Sequence, residues 1–404
     1  MTARPRVAVV KPYFGANGGF ERHLAAIIGG LRERGWDISL VQTDGFPSAD
    51  VLYGFTVEGR LQEQHHEFFR YLALLEQVQQ LRLSHYDAVI ATQPPTFMVP
   101  HHRKIAIFYH QARHFYDLSE LFVEGGFVDG EVHAAAVAEV QAVEAEGVTD
   151  VRRWLAGSVE AAARLETYWS VPTERIEIHH APPTSWPDRV SPHRGDGPVV
   201  NVGRVEWPKR CELFVNAVHH LKHERQAHVV GDGSRLDAAK ALDVHLHADP
   251  ELAARDGRPE PWLDQVKARP RWVADAEAAL SGRVVFEGNV SNQRRDLLYE
   301  EASVVVAPAY REDYGLTAIE AMVRARPVVV CEDGGGLTEL VADGVSGLVV
   351  EPRAEAMAEG IDRLVGDPHL AARLGAAGRE AVLDISLDQA VSQVEATLNA
   401  VLEG

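Results

Sequence analysis

Three clusters of this 404-residue chain combine residue types and spacings that can do chemistry. The first is Gly15-Ala-Asn-Gly18-Gly19-Phe-Glu21, set between a β-rich apolar run at Arg6–Val10 and an amphipathic stretch. Small residues there let backbone N–H groups approach a phosphate, and a helix N-terminus favours its charge. A tight turn without a ligand accounts for the same pattern equally well. The second is Gly203-Arg204 after the run Val199–Val202, with Lys209 five residues further on at the start of a helix. Two cations beside a helix N-terminus suit a diphosphate, each contributing roughly 1.5–3 kcal/mol through a charge-assisted hydrogen bond. Two solvated surface cations are the plain alternative. The third is Arg311-Glu312-Asp313-Tyr314-Gly315-Leu316-Thr317-Ala-Ile-Glu320. Glu312 falls in the loop after Ser303–Ala307, Gly315 opens the next helix, and Glu320 lies further along it. The first free amides of that helix, at Leu316 and Thr317, then point at an anion. One carboxylate can reach sugar hydroxyls while the other accepts from both hydroxyls of a ribose.

The first cluster is not the dinucleotide fingerprint. The G-x-G-x-x-G spacing is absent, and Asp37 begins the second strand instead of ending it, where it would meet a ribose. A nicotinamide dehydrogenase is disfavoured.

The elements that must position these clusters alternate. Short β-rich runs at Arg6–Val10, Asp37–Val41, Asp87–Ala91, Lys104–Tyr109, Trp154–Ala156 and Arg175–His179 are separated by helical stretches at Gly19–Arg34, Leu61–Ser84, Glu131–Ala145 and Val159–Trp169. That order predicts a parallel sheet covered on both faces. Ala181-Pro-Pro-Thr-Ser-Trp-Pro187 interrupts it, because three prolines in seven residues continue neither a helix nor a central strand. The alternation restarts at Val199–Val202 and runs through Ala227–Val230, Arg283–Phe286, Ser303–Ala307, Pro327–Val330 and Gly347–Val350. Two Rossmann-like α/β domains are expected, at 1–185 and 195–385, with a final helix in 386–404 free to pack on either. The stretch 240–275 reads as an insertion, either a tolerated surface segment or a lid.

Composition narrows the function classes. A formal net charge of −19 makes nucleic acid and anionic lipid poor partners, and no run of Lys and Arg stands out. Two cysteines, Cys211 and Cys331, are too few for a disulfide framework or a zinc site. Met1–Arg6 lacks the apolar stretch of a signal peptide, and no apolar run approaches the roughly 20 residues of a membrane span. A cytoplasmic protein without a transmembrane segment is expected.

Taken in order, six segments resemble family 4 of the retaining glycosyltransferases, whose fold is GT-B. They are Gly18-Gly19, Gly203-Arg204 with Lys209, Gly231-Asp232-Gly233, the E-x7-E pair Glu312/Glu320, Gly334-Gly-Gly-Leu-Thr-Glu339, and Asp343-Gly-Val-Ser-Gly347-Leu. The resemblance implies two Rossmann-like doubly wound domains facing across a cleft, with a nucleotide-diphosphate sugar on the C-terminal domain and the acceptor on the N-terminal one. It implies that Arg204 and Lys209 hold the diphosphate, and that Glu320 binds the ribose while Glu312 lies against the donor sugar. Amides at Gly315, Leu316 and Thr317, joined by Gly19, would contact the distal phosphate. Gly203 opens the cation loop, and Gly288 and Asn289 would frame the base. His110 matches the family's active-site histidine in placement. No cofactor and no metal are implied: D-x-D is absent, and the leaving phosphate is thought to take the acceptor's proton on the same face.

The chain departs from the family at three points. The hinge reads His-His-Ala-Pro-Pro after Ile178, and Asp313 and Tyr314 replace a usual Gly and Phe beside the donor sugar. The insertion is also unusual. Asp313 would read a hydroxyl or amino group, or simply face solvent, and Tyr314 would lie beside the sugar or be a packed ring. The acceptor is not specified. Residues 1–180 carry more acids than bases, which favours a saccharide, polyol or specialised metabolite over a lipid. Arg113, His114 and Tyr116, just after His110, are the candidate acceptor contacts. A GT-B nucleotide-sugar epimerase, a phosphorylase, and a non-catalytic nucleotide-sugar-binding homologue stay open as alternatives.

Overall fold

The computed structural model describes residues 5–15, 18–248 and 280–403. It divides into two compact units, 1–182 with 385–404, and 183–384.

In the first unit, β1 (Arg6–Tyr13), β2 (Asp37–Asp44), β5 (Ala88–Ala91), β6 (Lys104–Phe108), β7 (Val151–Ala156) and β8 (Ile176–Ile178) form one parallel sheet in the order β2-β1-β5-β6-β7-β8. A two-stranded hairpin, β3 (Val51–Leu52) with β4 (Phe55–Thr56), stands outside that sheet and was not expected. Side chains alternate across the sheet, as the period of two demands. Ala8, Val10, Val89, Ala91, Ala106 and Phe108 point into one core with Tyr71, Phe97, Phe115 and Trp154. Val7, Val9, Ala88, Ile90, Ile105 and Ile107 point into the other. Burial on both faces is why these strands read as near-continuous apolar runs.

The helix Leu387–Glu403 belongs to this unit. Ala390, Val391, Val394, Leu398 and Val401 complete the second core. Arg34 pairs with Asp388 and Glu395, Trp36 Nε1 donates to Glu395 at 2.8 Å, and Gln393 Nε2 donates to the Ile178 carbonyl at 2.8 Å. The helix expected over Leu61–Ser84 is two, Gly59–Gln64 and His66–Gln80. It breaks at His65, whose Nδ1 accepts the Phe68 amide and caps the second helix.

In the second unit, β9 (Val199–Val202), β10 (Ala227–Val230), β11 (Val284–Gly288), β12 (Val304–Ala307), β13 (Val328–Cys331) and β14 (Leu348–Val350) give a parallel sheet ordered β11-β10-β9-β12-β13-β14. The proline-rich stretch after Pro182 is part of this unit and not a free linker. Arg326, buried at 1% exposure, donates to the carbonyls of Ser191 and Pro192, and His193 Nε2 lies 2.9 Å from the Ser303 carbonyl. Of the insertion, residues 249–275 lie outside the described residues. Its flanks are tied together, since Asp243 in the helix Leu236–Ala248 accepts from both the amide and the hydroxyl of Ser281. No described helix is long and apolar enough to cross a membrane.

One buried charge in the first unit gives a pH dependence. Glu144 is fully buried, and the hydroxyls of Tyr71 and Tyr116 each donate to one of its oxygens. Burial pushes its carboxyl up from 4.5 to about 7. The folded state therefore holds this proton more tightly than the unfolded chain does. The stabilisation is complete below about pH 4.5 and is lost as pH rises through about 7. Urea unfolding across that window should show the first unit losing up to about 3 kcal/mol relative to Glu144→Gln, which has no such proton to release. Parallel pH profiles for the two proteins would contradict the assignment.

Candidate active site

In the second unit the chain winds outward from β9 to β10 and β11, then returns to β12 on the other side of β9. Open α/β sheets bind ligands where the strand order reverses, beyond the strand C-termini. The loops that meet there are 203–210 after β9 and 308–315 after β12. They contain Gly203, Arg204, Lys209, Glu312, Asp313, Tyr314 and Gly315.

Backbone bonds give the first loop its shape. Gly203 N donates to Val230 O at 3.0 Å, Val205 N to Asp232 O at 2.9 Å, and Lys209 N to Glu206 O at 2.8 Å. Val205 is buried, which leaves its neighbour Arg204 exposed at the strand end. The second loop is stitched to the first, because Tyr310 N donates to Pro208 O at 2.8 Å. It is also stitched to the glycine run after β13: Arg311 N donates to Asp333 O, Glu312 N to Gly334 O, and Gly336 N returns to Glu312 O. A Cβ on Gly335, at φ +58, would sit 2.8 Å from Glu312 O and 2.9 Å from the Arg311 carbonyl carbon. That run is glycine because two backbones touch.

The result brings Lys209 Nζ into an ion pair with Glu312. The cation expected on the diphosphate and the carboxylate expected on the sugar are thus direct neighbours. Lys209 has two further protons for a phosphate. Gly315, at φ +114, turns the chain into the helix Leu316–Met322, whose first amides have no partner within the helix. Thr317 anchors that helix end by donating to the Val202 carbonyl of β9 at 3.1 Å.

Glu320 is only 5% exposed. One of its oxygens accepts from Thr184 and the other from the Tyr299 hydroxyl at 3.1 Å. Tyr314 is buried and Asp313 half-buried. The Tyr314 ring is packed in the core. At the end of β11, Gly288 adopts φ +64 and its carbonyl accepts the Gly231 amide at 2.9 Å. Asn289 is exposed, with its amide 3.4 Å from Asp232 Oδ2.

The first unit holds the remaining expected residues, and several are committed internally. Gly18 caps the helix Gly19–Glu33, but its amide donates to Glu21 Oε2 at 3.0 Å, and Lys11 Nζ lies 3.0 Å from Glu21 Oε1. The anion at this helix N-terminus is the chain's own. The Gly18 amide is thus engaged by Glu21, while Gly19 begins the helix proper. Glu21 stands three residues after Gly18, a capping-box spacing that the sequence displays.

His110 follows β6 and is half-buried, with Nδ1 2.8 Å from the Gln111 carbonyl. A carbonyl only accepts, so Nδ1 carries a proton. Arg113 is bound to Asp117, Nη2 to Oδ2 at 2.7 Å. Burial drives His114 down to about 3, so it is neutral, between Phe115 and Phe122. Tyr116 is a core residue whose hydroxyl donates to Glu144 and accepts from Trp169 Nε1 at 3.0 Å. Tyr116 is thus an interior residue, while His114 is half-buried against the rings of Phe115 and Phe122.

Sequence reasoning missed Arg210. Its guanidinium is 1% exposed, with Nε donating to Pro308 O at 2.7 Å and Nη1 and Nη2 clasping Asp333 at 2.9 and 2.5 Å. One side chain ties the loops after β9, β12 and β13 together, and no local pattern marks it among its neighbours. Arg210→Lys keeps the charge but cannot make the fork. It should cost about 1–3 kcal/mol in chemical unfolding of the second unit, read by the denaturation midpoint. An unchanged midpoint would mean the clasp contributes nothing.

Residues 274–381 match the family Glycosyl transferases group 1. A D-inositol 3-phosphate glycosyltransferase of Frankia alni is 37% identical over 163 residues, 36% of this chain and 39% of the relative. The lipopolysaccharide core mannosyltransferase LpcC of Rhizobium leguminosarum is 32% identical over 187 residues, 43% of this chain and 51% of the relative. The chain thus spans about half or less of the length of these curated relatives. Among solved structures, Anabaena HepE in complex with UDP and glucose superposes with a TM-score of 0.64 at 17% identity, covering 98% of this chain and 100% of that one. Sucrose-phosphate synthase from Thermosynechococcus elongatus gives 0.65 at 19% identity, covering 99% and 100%. In its matched segment and its curated relatives the chain is similar to the group 1 glycosyl transferases, and its two parallel-sheet units have the GT-B fold.

Proposed function

We propose that the chain is a retaining, metal-independent glycosyltransferase of family 4 that moves a hexosyl-type sugar from a nucleotide-diphosphate sugar to an acceptor hydroxyl in the cytoplasm. The observation that carries this reading is the Lys209–Glu312 ion pair between the loops after β9 and β12, with Arg204 on the first of those loops and the amides of Gly315, Leu316 and Thr317 at the end of the second, beside the point where strand order reverses. Anabaena HepE, described with UDP and glucose, supports a nucleoside diphosphate sugar as the donor class.

Cleavage of the donor leaves an oxocarbenium-like sugar and a diphosphate that gains negative charge. Arg204 and Lys209 stabilise that charge together with the helix amides, which are aimed before reaction and need no reorganisation. Glu312 faces the sugar and, through its ion pair, holds Lys209 in place. Glu320 accepts from the ribose hydroxyls, and Gly288 and Asn289 border the base. The departing phosphate takes the acceptor's proton on the same face, so no protein nucleophile is needed. His110 and the acceptor are the first unit's share of the reaction. Relatives named for an inositol phosphate and for a lipopolysaccharide core lend support to a polyol or saccharide acceptor.

Arg204→Ala should lower turnover about 100-fold or more, with an unfolding midpoint equal to wild type because the side chain is exposed. Wild-type kinetics in the variant would remove the diphosphate assignment. Chelator should leave activity unchanged, since protein cations carry the diphosphate charge. Loss of activity that magnesium restores would overturn metal independence.

A further inference from the structure

Glu320, which the proposed function assigns to the ribose, is held by partners that no local pattern announces. We propose that Thr184 is a positioning residue for Glu320 and thereby a determinant of specificity for ribonucleotide over 2′-deoxyribonucleotide donors; the inference rests on that reading of Glu320. Thr184 lies at the start of the second unit. Its Oγ1 donates to Glu320 Oε1, while the buried Tyr299 hydroxyl donates to Oε2 at 3.1 Å. Arg295 Nη2 lies 3.4 Å from Thr184 Oγ1. A guanidinium only donates, so Thr184 accepts from Arg295, and its single proton is directed at the carboxylate.

An ionised carboxylate has about four acceptor sites, two on each oxygen. Among the described residues, Thr184 occupies one on Oε1 and Tyr299 one on Oε2, which leaves one site on each. Two such sites on one rigid carboxylate match two vicinal hydroxyls, those at the 2′ and 3′ positions of a ribose. Without Thr184 the carboxylate can turn about its last bond, and the paired geometry is lost while the charge remains. The segment that carries Thr184 is itself fastened. Ser185 Oγ donates to Asp296 Oδ2 at 3.0 Å, Arg324 Nη2 donates to Ser185 Oγ at 2.7 Å, and Arg324 Nη1 donates to the Glu320 carbonyl at 2.9 Å. Thr184 therefore meets Glu320 in a fixed geometry and not as a side chain of a loose linker.

The test is calorimetric titration of the whole chain with UDP, ADP and GDP and with their 2′-deoxy forms, for wild type, Thr184→Val and Thr184→Ser. Wild type should prefer the ribo form of the nucleotide it binds. Thr184→Val should lose about tenfold in affinity for the ribo form and little for the deoxy form, so that the ratio of the two approaches one. Thr184→Ser, which keeps the hydroxyl, should keep the ratio. Thr184 is half-exposed, and Thr184→Ala serves in place of the valine variant if that protein does not fold. A ribo/deoxy ratio unchanged in the variant, or an equal loss on both forms, overturns the role of Thr184. A wild type indifferent to the 2′-hydroxyl overturns the ribose reading of Glu320 itself.

Discussion

A guanidinium removed from water has to be matched on every side, and the second unit is arranged around one that is. Arg210 is 1% exposed and adopts a left-handed backbone conformation at φ 50. That conformation carries a steric cost for any residue with a side chain. The cost is offset by what the side chain reaches: the Pro308 carbonyl and both oxygens of Asp333. Because Arg210 follows Lys209 directly, the clasp also fixes the turn from which Lys209 meets Glu312. Three loops that leave three different strands are thereby held as one surface. Loops have few contacts of their own to resist fluctuation, so a preorganised site at the end of a sheet needs a tie of this kind.

A second regularity concerns charge. Three carboxylates at these loops and helix starts are already engaged within their own units: Glu312 with Lys209, Glu320 with Thr184 and Tyr299, and Glu21 with Gly18 and Lys11. Leaving any of them bare in a partly buried place would be costly. An arriving anionic ligand therefore does not fill a vacancy. It shares cations, or exchanges with carboxylates, that already satisfy them, and its affinity is the difference between two hydrogen-bonded states. Differences of that kind are small and easily tuned by one neighbour, which is why a single hydroxyl such as that of Thr184 can carry specificity.

Much of the fold was legible in the chain, and the reason is periodicity. Strands buried on both faces are predominantly apolar, so β9, β10 and β12 stood out, despite Asn201 and His228 within the first two, and their bounds were close to those observed. The helix Val159–Trp169 is observed with the bounds expected, introduced by Ser158, whose hydroxyl accepts the Ala161 amide. Legibility failed where a side chain overrode the pattern. The amphipathic run from Leu61 continues through His65, yet the ring of His65 ends one helix and caps the next. Tyr116 and His114 looked like surface groups after an active-site histidine. Their polar atoms conceal that they pack among Phe115, Phe122 and Trp169.

What the sequence by itself determined is what local spacing can encode: the alternation of elements, the glycines where backbones touch or turn, and the two cations and two carboxylates at loop and helix starts. What only the tertiary structure decided is which of those groups meet. Lys209 and Glu312 are 103 residues apart, Arg210 and Asp333 are 123 apart, and Thr184 and Glu320 are 136 apart. The same holds for the last helix, whose apolar face reads identically whichever unit it covers, and which closes a core begun more than 300 residues earlier by Val7 and Val9. Such pairings follow from strand order, because the order in which parallel strands lie side by side sets which C-terminal loops become neighbours. Strand order is a property of the folded sheet and leaves no periodic mark on the chain.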